Sequence, residues 1–424
     1  MSDPARLSAT EAARRIREGK LRPEALMEAC LDRIAARDSA VRAFAHLDPA
    51  QARAAAAGAR PGPLHGLPVG VKDVLNTADM PSAYGSPIWA GWRPKSDAAA
   101  VAATRAAGGV IAGKTVTTEF ATRHPGPTAN PHNTAHTPGG SSSGSAAAVA
   151  DFQLPLAFGT QTAGSIIRPA AFCGVVGYKP SFGMISRVGM QIMSDSMDTV
   201  GVLARSVADC ALFAGAVSGR DLGDPDRKPE RGPGVGLCRT PHWGQASAET
   251  QALLARVARA LVRAGARVEE RDLPASFAAL EEAHPVVTNS ESAWALGWER
   301  AVAAERISPV LRERLDFGAS RTEAQRDAAY AAVRAAQDRF AAHTEGLDIL
   351  ITPAAPGEAP EGLGWTGDPV FNYIWTALHV PCVTVPAGKG PAGLPLGVQV
   401  VGRRGEDRQT LAWAQFVAAA LDAA

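Results

Sequence analysis

This chain of 424 residues has no strong charge of one sign, no cross-linking cysteine pattern and no long apolar run. Lysine and arginine total 43 against 42 aspartates and glutamates, a formal net charge of +1. That balance argues against a nucleic-acid-binding stripe and against an acidic or basic tail. The five cysteines (Cys30, Cys173, Cys210, Cys238 and Cys382) are odd in number and widely spaced, and none form C-x-x-C. A disulfide framework or a cysteine zinc site is not expected, and a reducing compartment fits. No stretch reaches the roughly 18 apolar residues of a membrane span. The N-terminal MSDPARLSATEAARRIREGK has no apolar signal core. These absences together predict a soluble cytoplasmic protein. Lysine is scarce in its own right, with only Lys20, Lys72, Lys95, Lys114, Lys179, Lys228 and Lys389 among the 43 basic residues.

What is present is enough apolar residue, 46% of the chain, to build a sizeable core. Ser8-Ala-Thr-Glu11 reads as a capping box opening a helix that stops at Gly19. Pro23 starts a second helix to about Arg37, and an Ala-rich segment runs from Pro49 to Gly58. LPVGVKDVL (67–75) alternates like a strand, and Asp97 opens a helix that Gly108-Gly109 closes before the strand VIAG. A helix near 144–151 and a strand at 155–159 follow. DLGDPDRKPERGP (221–233) is a polar connection before a strand (234–238), a helix (249–264) and a strand (266–270). Residues 275–345 read mostly helical, and DILIT, CVTVP and LGVQVVG read as closing strands. Alternating helix and strand predicts an α/β sheet.

Three stretches offer chemistry that competes with plainer readings. Gly108 to Thr115 matches G-x-x-x-x-G-K-[ST], but its middle is Val-Ile-Ala, which prefers a strand to a phosphate-cradling loop. His124, His132 and His136 share one Pro/Asn/Gly-rich loop with no acidic ligand close by, so ordinary loop histidines are expected in place of a metal site. TPGGSSSGSAAAVA (137–150) is either a linker, a G-x-S-x-G nucleophile elbow, or one part of a dispersed active site. An elbow needs a buried strand just before it, and NPHNTAHTPGG is loop.

Two further stretches bear on the third reading. Lys72 stands in an apolar strand, where it either snorkels to the surface or stays buried. A buried lysine has its ordinary pKa of about 10.4 lowered by several units and becomes a neutral base near pH 7–8. GTQTAGSIIRPAAFCG (159–174) follows an apolar run and sets Ser165 at the start of a helix. There the amides of Thr162, Ala163, Gly164 and Ser165 either converge on an oxyanion or simply form a Gly-rich turn.

Together these pieces resemble the amidase signature family. PGGSSSGSAAAVA followed by GTQTAGSIIRPAAFCGVVGYKPSFG is a long ordered pattern, and GLPVGVKD, GKTVTTEFA, DTVGVLARSVAD, VPCVTVPAG and LPLGVQVVG extend it over nearly the whole chain. The resemblance implies a single α/β domain with a mixed, twisted central sheet covered by helices on both faces. Within residues 1–424 it implies N-terminal helices (1–60), a catalytic core (61–215) and a variable pocket region with closing strands (234–424). It also implies a Ser-cis-Ser-Lys triad: Ser165 as nucleophile, Ser141 as bridging serine after a cis Gly140-Ser141 peptide, and Lys72 as base. The 162–165 amides would form the oxyanion hole, with Ser142 and Arg168 supporting the network. Neutral Lys72 would take a proton from Ser141, which takes one from Ser165 as it attacks the amide carbonyl. An acyl-enzyme follows, then water, with no metal or cofactor. The chain departs from the family's usual pattern at Ser143 and Ala163, where glycine is common, and at Gln161, where aspartate is common. None of these removes a triad atom.

The implied reaction is hydrolysis of a small carboxylic amide to acid plus ammonia or amine. Carbamates, ureas and esters share its oxyanion chemistry. A glutaminase subunit of a tRNA amidotransferase is disfavoured by Ile167-Arg168-Pro169 after the nucleophile, and a non-catalytic relative by the intact Lys72, Ser141 and Ser165. The expected partners are a small-molecule amide and at most a second copy of the chain, with no nucleic acid and no membrane. Pocket walls are expected from the 121–136 loop, from 275–330 with Trp294 and Trp298, and from Trp365, Phe371, Asn372, Trp375 and His379. Core packing accounts for those aromatics equally well.

Overall fold

In a computed structural model describing residues 3–423, the strands join one mixed sheet. In chain order they are β1 (Phe44–Leu47), β2 (Pro68–Lys72), β3 (Val110–Thr115), β4 (Leu156–Gln161), β5 (Val176–Lys179) and β6 (Thr199–Ala204). There follow β7 (Gly234–Leu237), β8 (Arg267–Glu270), β9 (Ile349–Pro353), β10 (Cys382–Lys389) and β11 (Pro395–Val401). Their spatial order is β1-β3-β2-β4-β6-β5-β10-β11-β9-β7-β8. β2 is parallel to both β3 and β4, whereas β4, β6, β5, β10, β11 and β9 run antiparallel in succession. β2, β3 and β4 are buried along their whole length, as strands covered on both faces must be. At one margin β8, Arg-Val-Glu-Glu, is charged and partly exposed, which discourages pairing with another chain.

Most elements lie where the sequence pattern puts them. Ser8 caps helix Ala9–Arg17 by accepting the Glu11 amide, and Pro23 opens helix Pro23–Val41. β2 stops at Lys72, short of the expected Leu75, because the Val74 and Leu75 amides turn back onto the Lys72 carbonyl. The Gly-Lys-Thr of the phosphate-loop look-alike is the end of β3. The segment 275–345 is helical but broken, with helices Ala279–Ala295, Gly297–Val302, Pro309–Ala319 and Glu323–His343. Short β1, β5 and β6 carry no pattern strong enough to predict them; tertiary pairing makes them strands.

The serine cluster is not a linker. It begins a helix, Ser143–Ala150, that is buried almost throughout. Only small residues permit this: a Cβ at Gly144 would stand 2.1 Å from the Ala43 carbonyl oxygen and 2.4 Å from the Val116 nitrogen. Its Ala146 and Val149 pack on Ile166, Ala170 and Cys173 of helix Ile167–Cys173 and the residue before it. The two serine-bearing stretches are thereby neighbours in space. No helix among the described residues is long and apolar enough to cross a membrane, and the five cysteines are free and buried.

Candidate active site

Lys72 ends β2, and Thr160 lies near the end of the parallel neighbour β4, so both project from the same edge. The Lys72 side chain is fully buried. Its Nζ lies 2.7 Å from Ser141 Oγ, 2.7 Å from Thr160 Oγ1 and 3.3 Å from the Thr160 carbonyl oxygen. Among the described residues no carboxylate bonds it. Burial lowers its pKa to about 7, opposed by the more distant charge of Asp198, since an apolar surrounding penalises the ammonium.

Ser141 follows a cis peptide bond to Gly140. Arg168, buried on helix Ile167–Cys173, holds this turn: its Nη2 donates to the Gly140 carbonyl at 2.8 Å and its Nε to the Thr366 carbonyl at 2.8 Å. Ser142 ties the cluster to the downstream strand. Its hydroxyl donates to the Thr160 carbonyl and accepts the Thr160 amide, both at 3.3 Å, and its own amide donates to the Ser165 carbonyl at 3.4 Å. Ser165 is thus carried to the serine cluster 24 positions upstream, and its side chain opens into a cavity.

Gln161 shapes the turn that presents Ser165. Its Oε1 accepts the Ile166 and Ile167 amides at 2.8 and 3.0 Å, and its Nε2 donates to Thr376 Oγ1 at 3.0 Å. A neutral amide does this capping without adding a charge beside Lys72. The turn's carbonyls are fixed outward: Thr376 Oγ1 donates to the Ala163 carbonyl at 2.7 Å, and His284 Nε2 lies 2.9 Å from the Thr162 carbonyl. Among the described residues no acceptor bonds the amides of Thr162, Ala163, Gly164 or Ser165. Four successive free donors at a helix start suit a developing oxyanion. Thr162 Oγ1 donates to buried Asp198, whose other oxygen accepts the Met193 and Ser194 amides.

The cavity holds about 280 Å³ and is lined in part by Thr162, Ala163, Ser165, Arg168 and Trp365. The expected walls contribute Ala121, Thr122 and Arg123 from one loop, and Glu281, His284, Pro285, Thr288 and Arg314 from the helical region. Several expected pocket residues lie elsewhere. Phe371 and Trp375 are fully buried core residues, the latter edge-on to Phe340. Asn372 packs under Gly164, where a Cβ would come within 2.4 Å of its Oδ1. His379 stacks on Phe182 at 4.1 Å and bonds the Ser196 carbonyl. Trp294 and Trp298 are more than half exposed on the outer surface. The lining falls instead to their neighbours Asp368, Pro369, Val370 and Tyr373; in the short helix Tyr373–Ala377 the residues after Tyr373, Trp375 among them, are buried.

Sequence reading passed over Thr160, Asp198 and His284. The first two stand inside motifs already quoted, GTQTAGS and DTVGVLARSVAD, and were recoverable as the buried polar residues of otherwise apolar strand ends. His284 sits in a helix with no motif around it, so only folding joins it to Thr162. The loop histidines dock their loop: His132 Nε2 lies 2.9 Å from the Cys173 carbonyl, and His136 Nδ1 2.8 Å from that of Ala359.

The profile of the family described as Amidase matches residues 25–411. The chain belongs to the amidase signature family. Its members are hydrolases of C–N bonds, and this chain is an enzyme of that class. It is 35% identical, over 95% of its length and 92% of the relative's, to a glutamyl-tRNA(Gln) amidotransferase subunit from Acidothermus cellulolyticus. Among solved structures it is similar to an amidase (TM-score 0.89, 32% identity, 98% of this chain and 100% of that one). It is also similar to the peptide amidase of Stenotrophomonas maltophilia (TM-score 0.84, 31% identity, 99% and 97%). These likenesses correct the expected partners. Relatives matching almost end to end are subunits of an enzyme named for a tRNA, so an exclusion of nucleic acid and of any partner beyond a second copy does not stand. An even charge does not exclude such partners, because one member of a complex can serve it without itself carrying a basic stripe. Nor does the tripeptide Ile167-Arg168-Pro169 bear on it, being buried and unable to report on an outer surface.

Proposed function

We propose that the chain cleaves a carboxylic amide through an acyl-enzyme on Ser165, with Lys72 as base and Ser141 as proton bridge. The observation that carries this reading is a fully buried lysine, without a carboxylate partner among the described residues, 2.7 Å from Ser141 Oγ. In its neutral form Lys72 accepts a proton from Ser141 as Ser141 takes that of Ser165. The free 162–165 amides receive the tetrahedral oxyanion, each such donor being worth about 3 kcal/mol. The proton then returns through Ser141 to the leaving nitrogen, and water releases the acid. Carbamate and ester carbonyls fit the same donors. The deciding experiment is labelling with a fluorophosphonate probe and peptide mapping. An adduct on Ser165 is expected; an adduct on Ser142 alone, or none in a folded sample, overturns the assignment.

A second reading draws on relatives such as the Acidothermus cellulolyticus protein. Here the same acyl-enzyme chemistry releases ammonia from an amide donor, and a partner protein passes the ammonia to glutamyl-tRNA. Affinity capture of a partner, with amide cleavage that rises when partner and charged tRNA are present, favours this reading. Full turnover by the isolated chain favours the first.

A further inference from the structure

Two side chains from distant parts of the chain each hold one peptide plane of the turn that presents Ser165. His284, in helix Ala279–Ala295, has its Nε2 2.9 Å from the Thr162 carbonyl oxygen. Thr376, in the short helix Tyr373–Ala377, donates its hydroxyl to the Ala163 carbonyl at 2.7 Å. A trans peptide unit is planar and points its carbonyl and its N–H in opposite directions. Both of these units are trans. The Thr162 carbonyl therefore fixes where the Ala163 N–H points, and the Ala163 carbonyl fixes the Gly164 N–H. These are the two middle donors of the four that bond no acceptor among the described residues. The next plane, carrying the Ser165 N–H, is set by the helix itself, because the Gly164 carbonyl accepts the Arg168 amide at 2.9 Å.

Both anchors are themselves held in place. A carbonyl has no proton to give, so the His284 Nε2 carries the ring hydrogen. Burial pushes the imidazole pKa down to about 4, so the ring is neutral, and Tyr373 packs on it at 5.3 Å between centroids. Thr376 is buried and has one hydroxyl proton. Gln161 Nε2 donates to its Oγ1 at 3.0 Å, which leaves that proton for the Ala163 carbonyl at 2.7 Å in preference to the Asn372 carbonyl at 3.4 Å. Gln161, Thr376, the Ala163 carbonyl and the Gly164 N–H thus form one chain in which each bond polarises the next. The short helix can approach this closely because residue 164 is glycine: a Cβ there would stand 2.4 Å from Asn372 Oδ1 and 2.9 Å from Pro369 Cβ. Asn372 and Thr376, four positions apart, lie on one side of that helix.

We propose that His284 and Thr376 are positioning residues of the oxyanion hole, His284 aiming the Ala163 amide and Thr376 the Gly164 amide at the charge that develops on the attacked carbonyl. This rests on Ser165 being the nucleophile and on the 162–165 amides receiving the oxyanion. Each residue acts through the peptide plane it holds. Donors already aimed at the developing charge stabilise a transition state because nothing has to turn as the charge forms. A plane without its anchor rotates about its flanking bonds, and a misplacement of about 1 Å costs up to about 10²-fold in rate. The anchors stand 122 and 213 residues beyond the carbonyls they hold. Residues outside the Gly/Ser-rich stretches therefore set how well those stretches work.

The test is fluorophosphonate labelling of Ser165 on the full chain, resolved into a limiting rate and a half-saturating concentration, because the phosphonyl oxygen takes up charge in the same hole. Thr376→Val keeps the shape and removes the hydroxyl; Thr376→Ala takes its place if the valine variant does not fold. His284→Phe keeps a ring and removes the donor. Each should lower the limiting rate of the folded protein about tenfold, less than the roughly 10²–10³-fold lost with a whole donor, with little change in the half-saturating concentration. Thr376→Ser and His284→Gln, which put a donor back, should recover most of the loss. The pH midpoint of labelling should stay where Lys72 sets it, since neither residue acts on the base. A merely structural role lowers stability and leaves the limiting rate of the folded fraction alone. An unchanged limiting rate in a donor-free variant, a loss that the donor-restoring variant does not rescue, or a loss confined to the half-saturating concentration overturns the role of that residue. Failure of the nucleophile assignment looks different: no adduct on Ser165 in folded wild type, which takes the role of both residues with it.

Discussion

Two lysines are buried side by side in this sheet and differ in nearly everything else. Lys72 ends β2 and Lys114 lies one residue before the end of β3. In the parallel register Lys72 pairs with Thr115, and Lys114 with Val71. Alternation along a strand then sends the two side chains to opposite faces of the sheet. Lys114 meets a carboxylate, Asp73 Oδ1 at 3.1 Å, together with Ser82 Oγ and the Leu75 carbonyl. Burial lowers its pKa and Asp73 opposes the fall. Among the described residues Lys72 meets only two hydroxyls and a carbonyl. The lesson is that burial alone does not make a lysine a base. Beside a carboxylate the fall in a buried lysine's pKa is opposed, and removing one partner of such a pair is costly, whereas a buried lysine bonded by hydroxyls and a carbonyl loses its proton near neutrality and can take one from a hydroxyl.

The comparison can be broken in order of expected effect. Ser165→Ala should lower amide turnover at least about 10⁴-fold, as loss of a nucleophile does, with an unchanged melting curve; near-wild-type turnover removes Ser165 from the mechanism. Lys72→Ala should cost about 10²–10⁴-fold in the rate of Ser165 acylation. Lys114→Met leaves Asp73 buried and unpaired. It should cost about 3–5 kcal/mol of stability in denaturant unfolding while leaving the labelling rate per folded molecule unchanged. If those two phenotypes were exchanged, the roles drawn here would be reversed.

Two measurements sharpen the contrast. Protonated Lys72 cannot accept from Ser141, so acylation should be slow below about pH 7, rise through it and level off above. Lys114→Met should keep that midpoint, and a profile that falls with rising pH contradicts a lysine base. The smallest effect is expected from Gln161→Glu. Gln161 follows Thr160, which bonds Lys72. A carboxylate there stabilises the ammonium and should move the midpoint to more alkaline pH by roughly one unit. An unmoved midpoint means that Gln161 only caps the turn.

The legible part of the site was the part written in contiguous residues. Ser141, Ser142 and Ser165 lie in Gly/Ser-rich stretches whose small side chains are needed for close packing, so their order survives as a motif. Lys72 stands out because lysine is rare and its strand is otherwise apolar. The cavity walls were much less legible. Aromatic residues between 365 and 379 draw attention by size, yet Phe371 and Trp375 serve the core, and Val370 and Tyr373 beside them face the cavity. Which side of a five-residue helix points inward cannot be read from so short a period.

The amino-acid sequence by itself determined most of the helices and strands (though not β1, β5 and β6), the small-residue packing of the two serine-bearing stretches and the types of residue available for chemistry. Local propensity and steric size act over a few neighbours and are written in the order of residues. Tertiary structure alone decided that among the described residues a carboxylate reaches Lys114 and none reaches Lys72, that His284 fastens the Thr162 carbonyl from 122 residues away, and that Arg123 and Arg314 line one cavity. Those outcomes depend on strand register and helix crossing, through which a rotation of one residue exchanges a partner for a void, and they set the electrostatics on which the proposed chemistry depends.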